Sequence, residues 1–247
     1  DKATQAPIAK LSNLLQDVPP ARLFDEILKL LMSGHSWAAI QGLREAGLHH
    51  GLLPLLDHIL DDSKNAIGAN AFMKLALANT DQRIQSGKSV SAGFLFATLL
   101  WPDLLKNWKT NLAKGMANIP ALQDAMDETI ASQSSGMTIQ RRFESDMREI
   151  WSMQPRFERR VGRYPYRLIE MPRFRAGYDF MLLRCATGEQ SPALGEWWTS
   201  FIAADPAGQE ALMASAKTEL GNTTNSPTKR RWRRKPKPTS PVETPSS

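Results

Sequence analysis

Residues 19–34 read PPARLFDEILKLLMSG, and every feature of the stretch is helical. Pro19 and Pro20 suit a first turn, where a missing N–H costs no intrahelical bond. Leu23, Phe24, Ile27, Leu28, Leu30 and Leu31 then form one apolar stripe at three- and four-residue spacing. Gly34 supplies the stop, since glycine readily takes the left-handed conformation that ends a helix. Working outward, SWAAIQGLREAG (36–47) predicts a second helix, with Ser36 as N-cap and Gly47 at its end. GLLPLLDHILDD (51–62) and KNAIGANAFMKLALANTDQRI (64–84) predict two more, and SVSAGFLFATLLWPDLLKNWKTNLAKG (89–115) predicts a pair broken at Pro102. Further helices are expected near 119–133, 139–154, 164–170, 173–186, 191–203 and 206–219. Sustained alternation of apolar and polar residues is missing, as are Asn-Gly or Asp-Gly hairpin turns. The expected fold class is all-α.

The chain has 247 residues, 42% of them hydrophobic, enough for a substantial core. A single cysteine, Cys185, excludes an internal disulfide framework. The longest apolar run, AGFLFATLLW (92–101), has the length of a buried helix and is too short to span a bilayer. With no signal peptide, a cytoplasmic location is expected. The chain starts at Asp1, not Met, and is expected to be a piece of a longer protein.

Formal net charge is +6, unevenly spread. Residues 1–140 net −1, 141–184 net +5, 185–228 net −4 and 229–247 net +6. Two basic blocks beside a near-neutral front half point to a polyanionic partner. The second block, KRRWRRKPK, gathers Lys229, Arg230, Arg231, Arg233, Arg234, Lys235 and Lys237 around Trp232 in a Ser-, Thr- and Pro-rich tail. Such a tail buries too little apolar surface to offset the entropy of ordering it and is expected to be disordered. On single-stranded RNA its cations would release counterions and its indole would stack on a base. A solvated basic tail that binds any polyanion, or an acidic membrane surface, is the alternative.

In the first block, Ile139, Phe143, Met147, Ile150, Trp151 and Met153 share a helical face, leaving Arg141, Arg142 and Arg148 opposite, with Glu144 four residues before Arg148 as its expected ion partner. Beyond it, Arg156, Arg159, Arg160, Arg163 and Arg167 have one acid nearby, Glu158, and surround Gly162 and Pro165. Cations in such excess want an external anion, unless some pair with the acid-rich stretch 185–228. Arg173 and Arg175 flank a helix start, a plausible phosphate seat. Catalytic signals are weak. His35, His49, His50 and His58 lie in the front quarter, but neighbouring His49 and His50 diverge and Gly-Leu-Leu-Pro follows them, so no metal site is expected. Phosphate loop, nucleophile elbow and CxxC motifs are absent.

Residues 18–31, VPPARLFDEILKLL, resemble the neck motif of class II nucleotidyltransferases, the family of CCA-adding enzymes and bacterial poly(A) polymerases, with Arg22, Glu26 and Lys29 at the recurring Arg, Glu and Lys positions. Many members carry Glu just before the Arg, where this chain has Ala21, a departure that weakens the match to the CCA-adding branch and leaves the polymerase branch open. Residues 147–184, MREIWSMQPRFERRVGRYPYRLIEMPRFRAGYDFMLLR, closely resemble the Arg-rich C-terminal region of the bacterial polymerases, followed here by an acidic helical stretch with GEWW (195–198) and the basic tail. The resemblance implies an adenylyltransferase that adds AMP from ATP to RNA 3′ ends, promoting mRNA decay, with ATP and Mg²⁺ handled by a catalytic head that this chain lacks, so that the chain alone is expected to be inactive. It implies residues 1–62 as the end of the neck, 63–138 as a helical body, 139–220 as an Arg-rich helical domain and 221–247 as tail. Arg22, Glu26 and Lys29 would steady the neck beside the nucleotide pocket, with Arg22 and Glu26 expected to pair. Arg156, Arg159, Arg160, Arg163, Arg167, Arg173, Arg175 and the tail cluster would hold RNA with little sequence preference, aromatics serving as stacking platforms. Double substitution of Arg160 and Arg163 is then expected to weaken binding to all RNAs alike. RNA-decay proteins are expected partners of a monomer. The alternatives are a stand-alone helical RNA-binding module and a CCA-adding enzyme.

Overall fold

A computed structural model describes residues 7–48, 67–133 and 139–223, and every regular element among them is helical. The expected helix at 51–62, His49, His50 and His58, and the whole tail cluster from Lys229 to Lys237 with Trp232 lie outside the described residues.

After a 3-10 helix, Ala9–Asp17, α1 spans Pro20–Leu31 with Pro19 at the N-cap, as the proline pair predicts. It buries Phe24, Ile27 and Leu31, one edge of the sequence stripe. α2 spans Ser36–Glu45, and here the expectation fails: His35 holds the N-cap position, and Ser36 is the first helical residue. The Ser36 backbone N–H and hydroxyl both donate to the Asp81 carboxylate at 3.0 Å, so the buried serine docks α2 onto α3, Ile67–Gln85, instead of capping its own helix. The end of α2 is a Schellman turn: Gly47 has φ +69°, its N–H reaches Arg44 O at 3.0 Å, and Leu48 N–H reaches Leu43 O at 2.9 Å.

The apolar run becomes the hub. α4, Ala92–Leu99, is capped by Ser91, which accepts the Phe94 N–H at 3.3 Å, and it buries Ala92, Gly93, Leu95, Phe96, Ala97, Thr98 and Leu99. A helix apolar on all sides must be surrounded. The chain breaks at Leu100 and restarts as α5, Trp101–Ala113, with Pro102 in its first turn. α6 (Asn118–Gln133) and α7 (Arg141–Met153) follow. Gly93 lets α4 and α7 approach closely, since a Cβ there would meet the Asp146 Cβ at 2.5 Å. The Trp151 indole N–H donates to Ala97 O at 3.0 Å, a buried bond that fixes the register of the two helices.

A 3-10 turn, Gln154–Arg156, leads to a short α8, Tyr164–Ile169, then α9 (Phe174–Ala186), α10 (Pro192–Ala203) and α11 (Pro206–Thr223). Two apolar clusters result. The first joins Phe24, Leu31, Phe72, Phe96, Trp101, Trp151 and Phe180, among others, and so draws on α1, α3, α4, α5, α7 and α9. The second gathers Met153, Phe157, Leu168, Tyr178, Met181, Trp197, Trp198 and Phe201. Between them sits a polar clasp. Arg184, 5% exposed, donates through Nε to Glu189 at 2.8 Å and through Nη1 to Gln154 Oε1 at 3.2 Å, while its Cζ lies 4.8 Å from the Trp101 ring centroid. Glu189 also accepts the Trp101 indole N–H at 2.7 Å. No helix among the described residues is long and apolar enough to cross a membrane.

Candidate nucleic-acid interface

The Arg-rich segment is held in place by its apolar residues. Phe157 and Leu168 are fully or nearly fully buried in the second cluster, and Trp198 donates its indole N–H to Phe157 O at 2.9 Å. Between these anchors the chain turns through Gly162, φ +66°, and enters α8 with Arg163 as N-cap and a buried Pro165. The basic side chains therefore project from a braced scaffold.

The structure sorts the arginines into paired and unpaired. Arg148 forms an ion pair with Asp127 of α6 at 2.7 Å, so the expected Glu144 partner is corrected: two facing helices place Asp127 closer than the acid on its own helix. Arg173 pairs with Asp146 at 2.7 Å, and Arg175 with Asp179 at 3.0 Å. Both therefore spend their charge within the chain, which weakens the phosphate seat expected at the start of α9. Arg173 also adopts φ +61°, a left-handed conformation strained for a side chain of its size, with the Asp146 pair helping to hold it. Arg160, its side chain 19% exposed, reaches Glu219 on α11 at 3.4 Å, the pairing with the acid-rich stretch that the sequence left open. Its Nε is buried without a hydrogen-bond partner.

The remainder face outward. Arg159, Arg163 and Arg167 are exposed and form no ion pair among the described residues. Arg167 donates its backbone N–H to Arg163 O at 3.3 Å, so the two side chains sit one helical turn apart. Like charges at that spacing repel by a few tenths of a kcal/mol on an isolated helix. Arg156 is half-buried, its Nη1 3.2 Å from Met171 Sδ, and Arg141 and Arg142 are exposed at the start of α7. The Arg159 guanidinium carbon lies 4.4 Å from the Tyr164 ring centroid.

The aromatic platforms expected along this segment are corrected in the same way. Trp151, Phe157 and Tyr178 are buried, Phe174 packs against Trp198 and Phe157, and Trp197 stacks on Phe201 at 4.9 Å. Aromatic surface this large is worth more in the core than in water. Tyr164 is half-buried and stays partly accessible.

At the front end, the Arg22–Glu26 pair gives way to Lys29–Glu26 at 2.8 Å, both exposed. The Lys29 hydrogen bond and charge hold the Glu26 carboxyl below its ordinary value and raise that of Lys29 in turn, Arg22 adding a weaker pull on Glu26. No group of His, Cys, Asp or Glu side chains able to hold a metal ion occurs among the described residues.

Residues 114–237 match the family model described as "Polymerase A arginine-rich C-terminus", and residues 1–60 match "Probable RNA and SrmB- binding site of polymerase A". Poly(A) polymerase I of Salmonella typhimurium is 33% identical over 241 residues, 96% of this chain and 50% of the relative. The Escherichia coli O6:H1 protein of the same name is 32% identical over the same share, and that of Haemophilus influenzae is 32% identical over 217 residues, 86% of this chain and 47% of the relative. The chain thus spans about half the length of the curated relatives it matches.

Proposed function

The chain belongs to the bacterial poly(A) polymerase family, of which it carries the C-terminal portion, and we propose that it grips RNA through the turn 158–163 and α8 while a preceding catalytic portion adds AMP from ATP to the RNA 3′ end. The carrying observation is the exposed, unpaired Arg159, Arg163 and Arg167 on a scaffold anchored by Phe157 and Leu168. Phosphate contacts supply affinity without reading bases, which suits an enzyme that must hold any 3′ end and a tail of its own making. Arg156, Arg160, Arg141 and Arg142 widen the positive surface, and the tail cluster from Lys229 to Lys237 extends capture. ATP selection and the Mg²⁺-binding carboxylates belong to the portion of the relatives that this chain does not span. Arg22, Glu26 and Lys29 on α1 steady the neck, residues 1–62, against that portion; residues 63–138 form the body and 139–220 the RNA-holding domain. The match of residues 1–60 to a region described as a probable RNA and SrmB binding site of polymerase A supports RNA contact at the neck as well, and leaves room for a second partner there.

The test is Arg163→Ala with Arg167→Ala, because both side chains are exposed and neither supports the fold. Binding to oligo(A) and to mixed-sequence RNA is expected to weaken in parallel, and the slope of log affinity against log salt to become shallower by about 1.4, from roughly 0.7 per lost contact on single strands. Loss confined to one sequence, or an unchanged slope, refutes the reading.

A further inference from the structure

Phosphate contacts alone give a grip that ignores whether bases are present at all. One place in the basic segment has a different chemistry. Arg159 lies over the Tyr164 ring with its guanidinium carbon 4.4 Å from the centroid, is exposed, and forms no ion pair among the described residues. An arginine so placed is supported by the ring on one side and accessible to solvent, a planar, weakly hydrated cation of the kind on which nucleobases stack. The platform is anchored by buried neighbours. Phe157 is buried two residues before Arg159, Pro165 and Leu168 are buried after Tyr164, and the left-handed Gly162 turns the chain so that residues 159 and 164 meet. Other arginines over rings do not match it: Arg160 is partly buried and held by Glu219, Arg175 is engaged by Asp179, and Arg184 is in the core. Arg142 over Phe143, at 4.5 Å, is likewise exposed but lies at the start of α7, outside the turn and α8 that carry Arg159, Arg163 and Arg167.

We infer that the Arg159–Tyr164 stack is a base-stacking site for one unpaired nucleotide of single-stranded RNA, flanked by Arg163 and Arg167 for its phosphates. The inference rests on the RNA-gripping reading above and adds a base contact to it. A duplex cannot offer a free base face there, so the site favours single strands, and any base serves because every base has a π-face.

The 247-residue chain is titrated with a short oligo(A), with an oligoribonucleotide of the same length made wholly of abasic units, and with oligo(A) carrying 2-aminopurine at successive positions. Arg159→Lys, which keeps the charge and loses the plane, and Tyr164→Leu, which keeps the apolar bulk under residue 159, are compared with the unaltered chain. Oligo(A) is expected to bind about tenfold more tightly than the abasic strand, within the range stacking on a side chain supplies. One 2-aminopurine position is expected to lose fluorescence on binding. In both variants this quench disappears and the preference for oligo(A) collapses, while the salt slope, which counts phosphate contacts, is unchanged. Equal affinity for oligo(A) and the abasic strand, or a quench that persists in both variants, overturns the stacking site and leaves the phosphate grip standing. Failure of the unaltered chain to bind either strand sinks the RNA-gripping reading and this inference with it. Far-UV circular dichroism of Arg159→Lys, an exposed position, confirms that any loss is local.

Discussion

At the scale of single residues, Arg184 differs from every other arginine in the basic segment. It is buried, and Glu189, Gln154 and the Trp101 ring surround it at the seam of the two apolar clusters. Removing one partner of such a pair leaves the other uncompensated. Arg184→Met is expected to lower unfolding stability by about 3 kcal/mol, the low end for a buried pair because Glu189 keeps some access to water. Urea denaturation followed by tryptophan fluorescence measures it, and a midpoint within error of the parent would mean that the clasp is not structural. The same substitution at Arg163 should leave the midpoint where it is, since Arg163 is exposed and unpaired among the described residues. Two arginines alike in sequence thus have opposite roles, one in the fold and one toward a ligand.

At the scale of elements, two glycines set helix spacing with different tolerance. A Cβ on Gly93 would sit 2.5 Å from the Asp146 Cβ, the rigid root of a side chain, and Asp146 is also the partner of Arg173. Gly93→Ala must push α4 and α7 apart, and a cost of about 2–3 kcal/mol is expected for overpacking a tight contact. A Cβ on Gly177 would meet the Met153 Sδ at 2.7 Å, the movable part of a flexible side chain, and alanine gains about 1 kcal/mol of helix propensity. Gly177→Ala is therefore expected to cost less than 1 kcal/mol on balance. Thermal unfolding of the two variants side by side checks the order, and Gly177→Ala as the more damaging of the pair would contradict it. The helices themselves were readable from the chain: the stripe in α1, the break beside Pro102 and the glycine end of α2 all follow from local chemistry, whereas α1 stops at Leu31 with Met32 as its C-cap, short of the expected Gly34. Their partners were not. Ser36 has the residue type of an N-cap, yet its hydrogen bonds go to Asp81, 45 residues away. Arg148 had an acid four residues back, yet an acid on α6 lies closer.

At the scale of the whole molecule, the charge distribution predicts a division of labour. Residues 1–223 carry equal numbers of acids and bases, so the formal net charge of +6 lies wholly in 224–247. Deleting 224–247 is expected to leave thermal stability unchanged within about a degree, because nothing in that composition can pack a core. RNA affinity should fall, and the salt slope should become shallower by up to about 5 if all seven cations of 229–237 touch phosphate. Filter binding across a salt series reads both quantities; an unchanged slope would show that the tail does not engage RNA. The truncated chain should still bind, since Arg159, Arg163 and Arg167 present positive charge locally on a surface that is neutral overall.

Sequence by itself determined the all-α class, the helix stripes, the position of the two basic blocks and the family, because each depends on spacing or composition within a few tens of residues. Which arginines are spent inside the protein, and which aromatics are withdrawn from any ligand, only the tertiary structure decided. A pairing between helices is set by what the fold brings within about 4 Å, which spacing along one helix does not reveal. Asp127, Asp146 and Glu219 reach Arg148, Arg173 and Arg160 from helices at least 21 residues away along the chain, leaving Arg159, Arg163 and Arg167 turned to solvent.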